Sequence, residues 1–304
     1  MGPALRVPGL RLEGKDAVGR SVEYHRPSSL AEACELLHQL GDAAIPLAGG
    51  TDVVVDLRRG TKAPKHLVSL ADLSALRGIS LSDGALTVGA LVTPTQLETS
   101  QEVASTRPEF LDAVGVFGTP QVRNRATVGG NLCTAASCAD LSPLLLVLNA
   151  RVTVATPTGS REVPLEEFFG DHRSTVLEPG HLVSAVSVPS RAPGEGAAYE
   201  AFGLRAANSI TVAGAAAYLR MEEGLCTGAR VALGAVSPCP LLVPGVEEVL
   251  VGTEAGDPNL ERAALAAADA AEPLSDIRGT AAHRRELVER LTVRAFQVAR
   301  GRAQ

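Results

Sequence analysis

Apolar positions in this chain fall into short runs and helical stripes, not into one long periodic array. After Pro27, Leu30, Ala33, Leu36, Leu37 and Leu40 recur at helical spacing between a capping Ser28 or Ser29 and the stop signal Gly41, so a helix is predicted over 30–40. Residues 43–48 then read as a short buried strand that runs straight into Gly49-Gly50-Thr51-Asp52. A second strand is predicted at 67–70, and a hairpin at 79–81 and 86–88 around Asp83-Gly84. Helical character follows at 94–99 and 108–117, and a second Gly-Gly turn at 126–131. Ser142 and Pro143 suit the cap and first turn of a buried helix over 144–149, and 151–155 reads as a strand.

The pattern changes near residue 195, where Pro189, Pro193, Gly194 and Gly196 punctuate the chain. Beyond that point, strands are predicted at 210–219 and 229–236, and helices at 259–271 and 281–300. In the last helix, Leu287, Leu291, Ala295 and Val298 are expected on one face, with Glu286 and Arg290 paired on another. At the other end, Gly2, Pro3, Pro8, Gly9, Gly14 and Gly19 interrupt every possible element, so residues 1–20 read as a leader. The expected class is α+β in two parts, 21–194 and 195–304, without an internal repeat.

Composition narrows the function. A length of 304 residues suits two domains, and the formal net charge of −6 with 3% aromatics and no tryptophan argues against a nucleic-acid footprint. The longest apolar run, 144–148, is far short of the ~20 residues a membrane span needs, and the N-terminus lacks the apolar core of a signal peptide. Five widely spread cysteines, an odd number, read as reduced thiols of a cytoplasmic protein. Cys133 and Cys138 have no companion ligands and are expected to be small buried thiols. The six histidines are scattered without a ligand spacing, so each is expected in a surface or capping role, and no metal site is predicted.

Two Gly-Gly pairs remain as candidate chemistry. Glycine lets a backbone approach a ligand closely and turn its N–H groups inward, and several inward N–H groups make an anion site suited to phosphate. Thr51, Thr127 and Asn131 would add side-chain hydrogen bonds to a pyrophosphate or ribose. Either pair taken alone reads first as a plain tight turn, and two similar turns in one predicted domain strengthen the functional reading. Neither GxGxxG after a strand nor GxxxxGK[ST] occurs, so a bound dinucleotide requires another architecture. The patch Arg123-Asn124-Arg125 reads either as a phosphate attractor or as a solvated loop. Asp140, just ahead of the buried helix, reads either as a helix cap or as a partner for a polyol hydroxyl.

Taken together, Pro46-Leu47-Ala48-Gly49-Gly50-Thr51-Asp52, then Arg125-Ala126-Thr127-Val128-Gly129-Gly130-Asn131, then Asp140-Leu141-Ser142-Pro143 resemble the FAD-binding subunit of the molybdenum hydroxylases, the xanthine dehydrogenase and aerobic carbon monoxide dehydrogenase family. Gly234-Ala235-Val236-Ser237-Pro238 and the terminal His283-Arg284-Arg285-Glu286-Leu287 extend the likeness to roughly residues 21–302. The resemblance implies a two-part FAD domain of the vanillyl-alcohol oxidase (PCMH) type and a smaller C-terminal α/β domain. It assigns FAD contacts to Pro46, Leu47, Ala48, Gly49, Gly50, Thr51, Asp52 and Val53 in the first loop. The second loop supplies Thr127, Val128, Gly129, Gly130 and Asn131, with Phe117, Asp140 and Val183 beside the flavin. Where some members carry a flavin-facing lysine, this chain has Gly203, with Arg205 two residues on.

The family's activity implies electron transfer: a molybdenum cofactor on a large subunit, iron–sulfur clusters on a small subunit, FAD on this one, and NAD or another acceptor, in a dimer of heterotrimers. No cysteine-rich cluster loop of the hydroxybenzoyl-CoA reductase kind is present. Thr51-Asp52 is similar to the xanthine dehydrogenase type, whereas the carbon monoxide type typically has Gly-Gly-His-Ser, and this leans the substrate toward a purine or other N-heteroaromatic. A carbon monoxide dehydrogenase medium subunit, a stand-alone FAD oxidoreductase and a non-catalytic assembly subunit are the alternatives.

Overall fold

Ser29 accepts the Glu32 N–H and Gly41, at φ 51°, ends helix α1 (Leu30–Leu40), so the predicted cap and stop both operate. In the computed structural model, which describes residues 22–206 and 208–303, α1 lays Ala33, Cys34 and Leu37 on a parallel three-stranded sheet. The sheet order is β1 (Glu23–His25), β3 (His66–Ser69), β2 (Ala44–Leu47). The leader expected at 1–20 lies outside the described residues. Between β2 and β3 runs helix α2 (Val53–Arg59).

The predicted hairpin forms β4 (Ile79–Ser82) and β5 (Ala85–Gly89), and its two-residue loop has positive φ at both Asp83 and Gly84, as a turn matching strand twist requires. With β6 (Arg151–Thr156), β7 (Gly159–Pro164) and β8 (Leu182–Val188) it makes an antiparallel sheet of order β4-β5-β8-β6-β7. Short helices α3 (Pro94–Thr99), α4 (Gln101–Thr106), α5 (Phe110–Val116), α6 (Pro120–Arg123), α7 (Val128–Thr134) and α8 (Leu141–Val147) fill the space beside it. Every residue of α8 is buried, each leucine contributing about 1.5–3 kcal/mol of hydrophobic stabilisation. This helix starts three residues earlier than its expected first residue at 144. Asp140 holds the cap position, while Ser142 is fully enclosed with an unpartnered hydroxyl and caps nothing.

The second part is an antiparallel sheet, β9 (Glu195–Gly203), β10 (Thr211–Glu222), β11 (Leu225–Gly234) and β12 (Leu241–Leu242), with α9 (Val246–Leu250), α10 (Asp257–Ala270) and α11 (Ala281–Arg302). Strand β11 begins at Leu225, not at 229, because Glu223 and Gly224 both take positive φ and reverse the chain there. In α11 the buried face runs through Arg284, Val288, Leu291, Ala295, Phe296 and Ala299. The stripe is turned from the expected one, leaving Val298 exposed, and Glu286 and Arg290 form no ion pair among the described residues. The end of α11 is tied to the first part by the Arg302 guanidinium, which donates to both Asp112 oxygens at 2.6 and 2.9 Å, and to β9 by its bond to the Ala197 carbonyl at 2.8 Å.

Candidate functional site

The first Gly-Gly loop is built by two different constraints. Gly50 has φ +79°, the left-handed region that favours glycine. Gly49 lies so close to the second motif that a Cβ there would stand 1.9 Å from the Arg125 carbonyl oxygen. Its bareness therefore serves the contact between the two loops. None of the backbone N–H groups of Gly49, Gly50, Thr51, Asp52 and Val53 donates to a protein acceptor among the described residues; α2 bonding begins with Val54 N–H to Gly50. A run of uncommitted N–H groups around a left-handed glycine is a concavity suited to an anion.

The second motif is not the free turn expected at Gly129-Gly130. It is the first turn of α7, capped by Thr127, whose Oγ1 accepts the Gly130 N–H at 3.0 Å. Val128 N–H donates to the Val92 carbonyl, Gly129 N–H to Ala90 and Asn131 N–H to Thr127, each at 2.9 Å. These amides are committed to the protein's own structure. What the segment contributes to the cleft wall is the close-packed glycine surface and the Asn131 side chain, whose Oδ1 is enclosed without a hydrogen-bond partner among the described residues.

Both motifs wall one cleft of about 630 Å³, within the usual size range of cofactor pockets. Of the residues assigned from the sequence, Pro46, Ala48, Gly49, Gly50, Thr51, Asp52, Val53, Phe117, Thr127, Gly129, Gly130, Asn131 and Val183 line it. Leu47, Val128 and Asp140 do not; Val128 is in the core at 1% exposure. Asp140 Oδ1 accepts hydrogen bonds from Tyr199 at 3.0 Å and Thr211 at 2.6 Å. Burial pushes its carboxyl up to about 6, the two hydrogen bonds opposing that shift. Although Asp140 holds the cap position of α8, its side chain makes no capping bond.

Three charged residues of the cleft escaped the sequence reading: Asp56, Lys62 and Arg173. Lys62 Nζ lies 3.6 Å from Asp56 Oδ2, whereas the Arg173 side chain makes no hydrogen bond or ion pair among the described residues. Lys62 follows the left-handed Gly60 that ends α2, and no motif in the sequence marks it. Arg173 sits in an irregular segment that carries no pattern. Arg205 lies elsewhere, beside Arg123 and Gly203 in a second cavity, and donates to the Asn208 carbonyl at 2.6 Å. Cys133 is exposed on the cleft wall and Cys138 half-buried, so neither is the buried thiol expected. Nor are all histidines solitary: His25 and His66 meet across adjacent strands.

A parallel sheet and an antiparallel sheet beside one loop-walled cleft, followed by a smaller sheet-and-helix unit, make a two-part α+β architecture with an appended C-terminal domain. Residues 20–191 match the family described as "FAD binding domain in molybdopterin dehydrogenase", and residues 197–299 match "CO dehydrogenase flavoprotein C-terminal domain". The chain belongs to this family of FAD-binding molybdopterin dehydrogenase flavoproteins. It is 34% identical to the carbon monoxide dehydrogenase medium chain of Afipia carboxidovorans, over 93% of this chain and 98% of that one. It is 31% identical to the xanthine dehydrogenase FAD-binding subunit of Escherichia coli O157:H7, over 91% and 95% respectively. Among solved structures, quinoline 2-oxidoreductase from Pseudomonas putida 86 superposes with a TM-score of 0.87 at 32% identity, covering 93% of this chain and 98% of its own. Among the described residues no helix is long and apolar enough to cross a membrane.

Proposed function

We propose that this chain is the electron-transferring subunit of a molybdenum hydroxylase complex, holding FAD between iron–sulfur clusters on a small subunit and a terminal acceptor such as NAD. The molybdenum cofactor belongs to a large subunit, in a dimer of heterotrimers, and the domain division falls between 194 and 195. One observation carries the reading: Gly49 to Val53, whose N–H groups have no acceptor among the described residues, line a cleft of cofactor size together with Asn131 of the second motif. Bound FAD supplies the ability to accept single electrons and to give up a hydride. The chain's part is to bind, orient and shield. The amides of the first loop are matched to the pyrophosphate, Asn131 to a hydroxyl of the sugar or ribityl chain, and Phe117 and Val183 to the apolar ring.

The test is the visible spectrum of the purified chain with the released chromophore identified by chromatography. One non-covalent FAD per chain is the expected result; a colourless protein that refuses added FAD overturns the assignment. Arg173, a cation on the cleft wall without a hydrogen-bond or ion-pair partner among the described residues, contributes to holding the diphosphate. Arg173→Ala is expected to raise the FAD dissociation constant about fivefold, equivalent to ~1 kcal/mol, measured by flavin fluorescence quenching.

For the complex we favour an N-heteroaromatic substrate. Thr51-Asp52 stands where the carbon monoxide type carries His-Ser, and the names of two of the three relatives, xanthine dehydrogenase and quinoline 2-oxidoreductase, denote such compounds. The second reading, a carbon monoxide dehydrogenase medium chain, is favoured by the 34% identity over nearly the whole chain. Anaerobic bleaching of the flavin band in the purified complex by a purine or quinoline, but not by carbon monoxide, decides for the first.

A further inference from the structure

Parallel pairing of β1 with β3 places Glu23 opposite His66 and His25 opposite Val68. Glu23 and His25, two residues apart on one strand, share a face of the sheet, and His66 joins them from the central strand. The result is a convergence of lone-pair atoms. His25 Nε2 is 3.0 Å from His66 Nδ1, His66 Nδ1 is 3.4 Å from Glu23 Oε2, and one ligand atom of each residue lies within 4.8 Å of the other two. All three residues are half-buried. None of them lines the FAD cleft.

Hydrogen bonding alone serves this group poorly. With both rings neutral, a proton on one facing nitrogen leaves a single N–H to be shared by the other nitrogen and the carboxylate oxygen, and protons on both set donor against donor. A cation satisfies the three lone pairs at once. Around a tetrahedral ion with metal–ligand bonds of about 2.0–2.2 Å, ligand atoms sit roughly 3.3 Å apart, which the two measured separations already approach.

We propose that Glu23, His25 and His66 form a three-ligand site for a divalent transition-metal ion of the zinc class, leaving a fourth position to water. Two imidazoles with one carboxylate suit zinc, cobalt, nickel or copper better than magnesium or calcium, which prefer all-oxygen shells. Its role is structural. Strand β1 is three residues long and at the sheet edge, and the ion ties it to the central strand, whose other neighbour β2 leads into the first Gly-Gly loop.

The test uses the full chain, without a histidine tag, stripped with chelator and titrated with zinc chloride by calorimetry, then with cobalt(II) for the visible bands of a bound ion. One zinc per chain is expected. Glu23→Gln, His25→Gln and His66→Gln should each weaken binding by on the order of 100-fold or more, since loss of even an outer-sphere partner costs 10–100-fold. Zinc should raise the Tm of the parent chain and not of these variants. Glu23→Gln preserves the side chain's shape, so unchanged circular dichroism separates loss of a ligand from loss of the fold. Absence of saturable zinc binding, or equal binding by parent and all three variants, overturns the site whatever the FAD content.

Discussion

Gly49→Ala is expected to purify with its fold intact and its flavin lost. The added Cβ would lie 1.9 Å from the Arg125 carbonyl oxygen and 2.8 Å from its carbon, and both are backbone atoms that cannot rotate away. The loops must part by more than an ångström, and the loop displaced is the one that lines the cleft with uncommitted amides. Overpacking of this kind costs about 1–3 kcal/mol or more. Taken at the upper end and charged to the holo geometry, it weakens FAD by on the order of 100-fold. Gly50 provides the graded comparison. Its φ of +79° strains a β-branched side chain but is tolerated by asparagine, and its nearest neighbour is the flexible Val54 side chain at 3.3 Å. The expected order of FAD loss is therefore Gly49→Ala, then Gly50→Val, then Gly50→Asn. FAD-to-protein ratio and dissociation constant measure it, and stoichiometric flavin in Gly49→Ala would contradict the two-loop account.

That ordering separates Gly49 from Gly50, two glycines that read alike in the sequence. The alphabet of the motif was legible because glycine, threonine and asparagine keep their spacing in the chain. Which glycine serves a ligand and which serves a neighbouring loop was not, because Arg125 and Ala90 approach only after folding. Helix α1, the β4–β5 hairpin and the buried α8 were readable from caps, turn dipeptides and apolar stripes, signals that act within a few residues. The registers of β1 and β3 were not readable, and with them the meeting of His25 and His66, 41 residues apart. Cys133 shows the same limit: its surroundings as an exposed cleft residue are set by β8 and the loops, not by its own helix. Local order was written locally, and the site's cross-chain contacts were not.

Asp140 gives the clearest case of a carboxylate whose sequence roles, cap or polyol partner, both differ from where it points. It is buried, and its Oδ1 gathers the hydroxyls of Tyr199 and Thr211, joining the start of α8 to β9 and β10. Its carboxyl titrates near 6 in the folded chain, raised by burial, against an ordinary value of 3.8. A raised folded value means that folding favours the protonated form. The associated stability is fully present below about pH 4 and lost as pH rises through 6, amounting to about 3 kcal/mol across that window. Asp140→Asn keeps an acceptor for both hydroxyls and removes the titration, so its stability relative to the parent should rise by about that amount between pH 4 and pH 7 in urea titrations. Asp140→Ala instead leaves two buried hydroxyls unpartnered and should destabilise by roughly 2–4 kcal/mol even at pH 4. A parallel stability profile for parent and Asp140→Asn would contradict the burial argument. The FAD dissociation constant of Asp140→Asn carries the remaining distinction: an unchanged value fits a residue that ties α8 to β9 and β10, and a tenfold rise would restore the direct cofactor contact implied by the family resemblance.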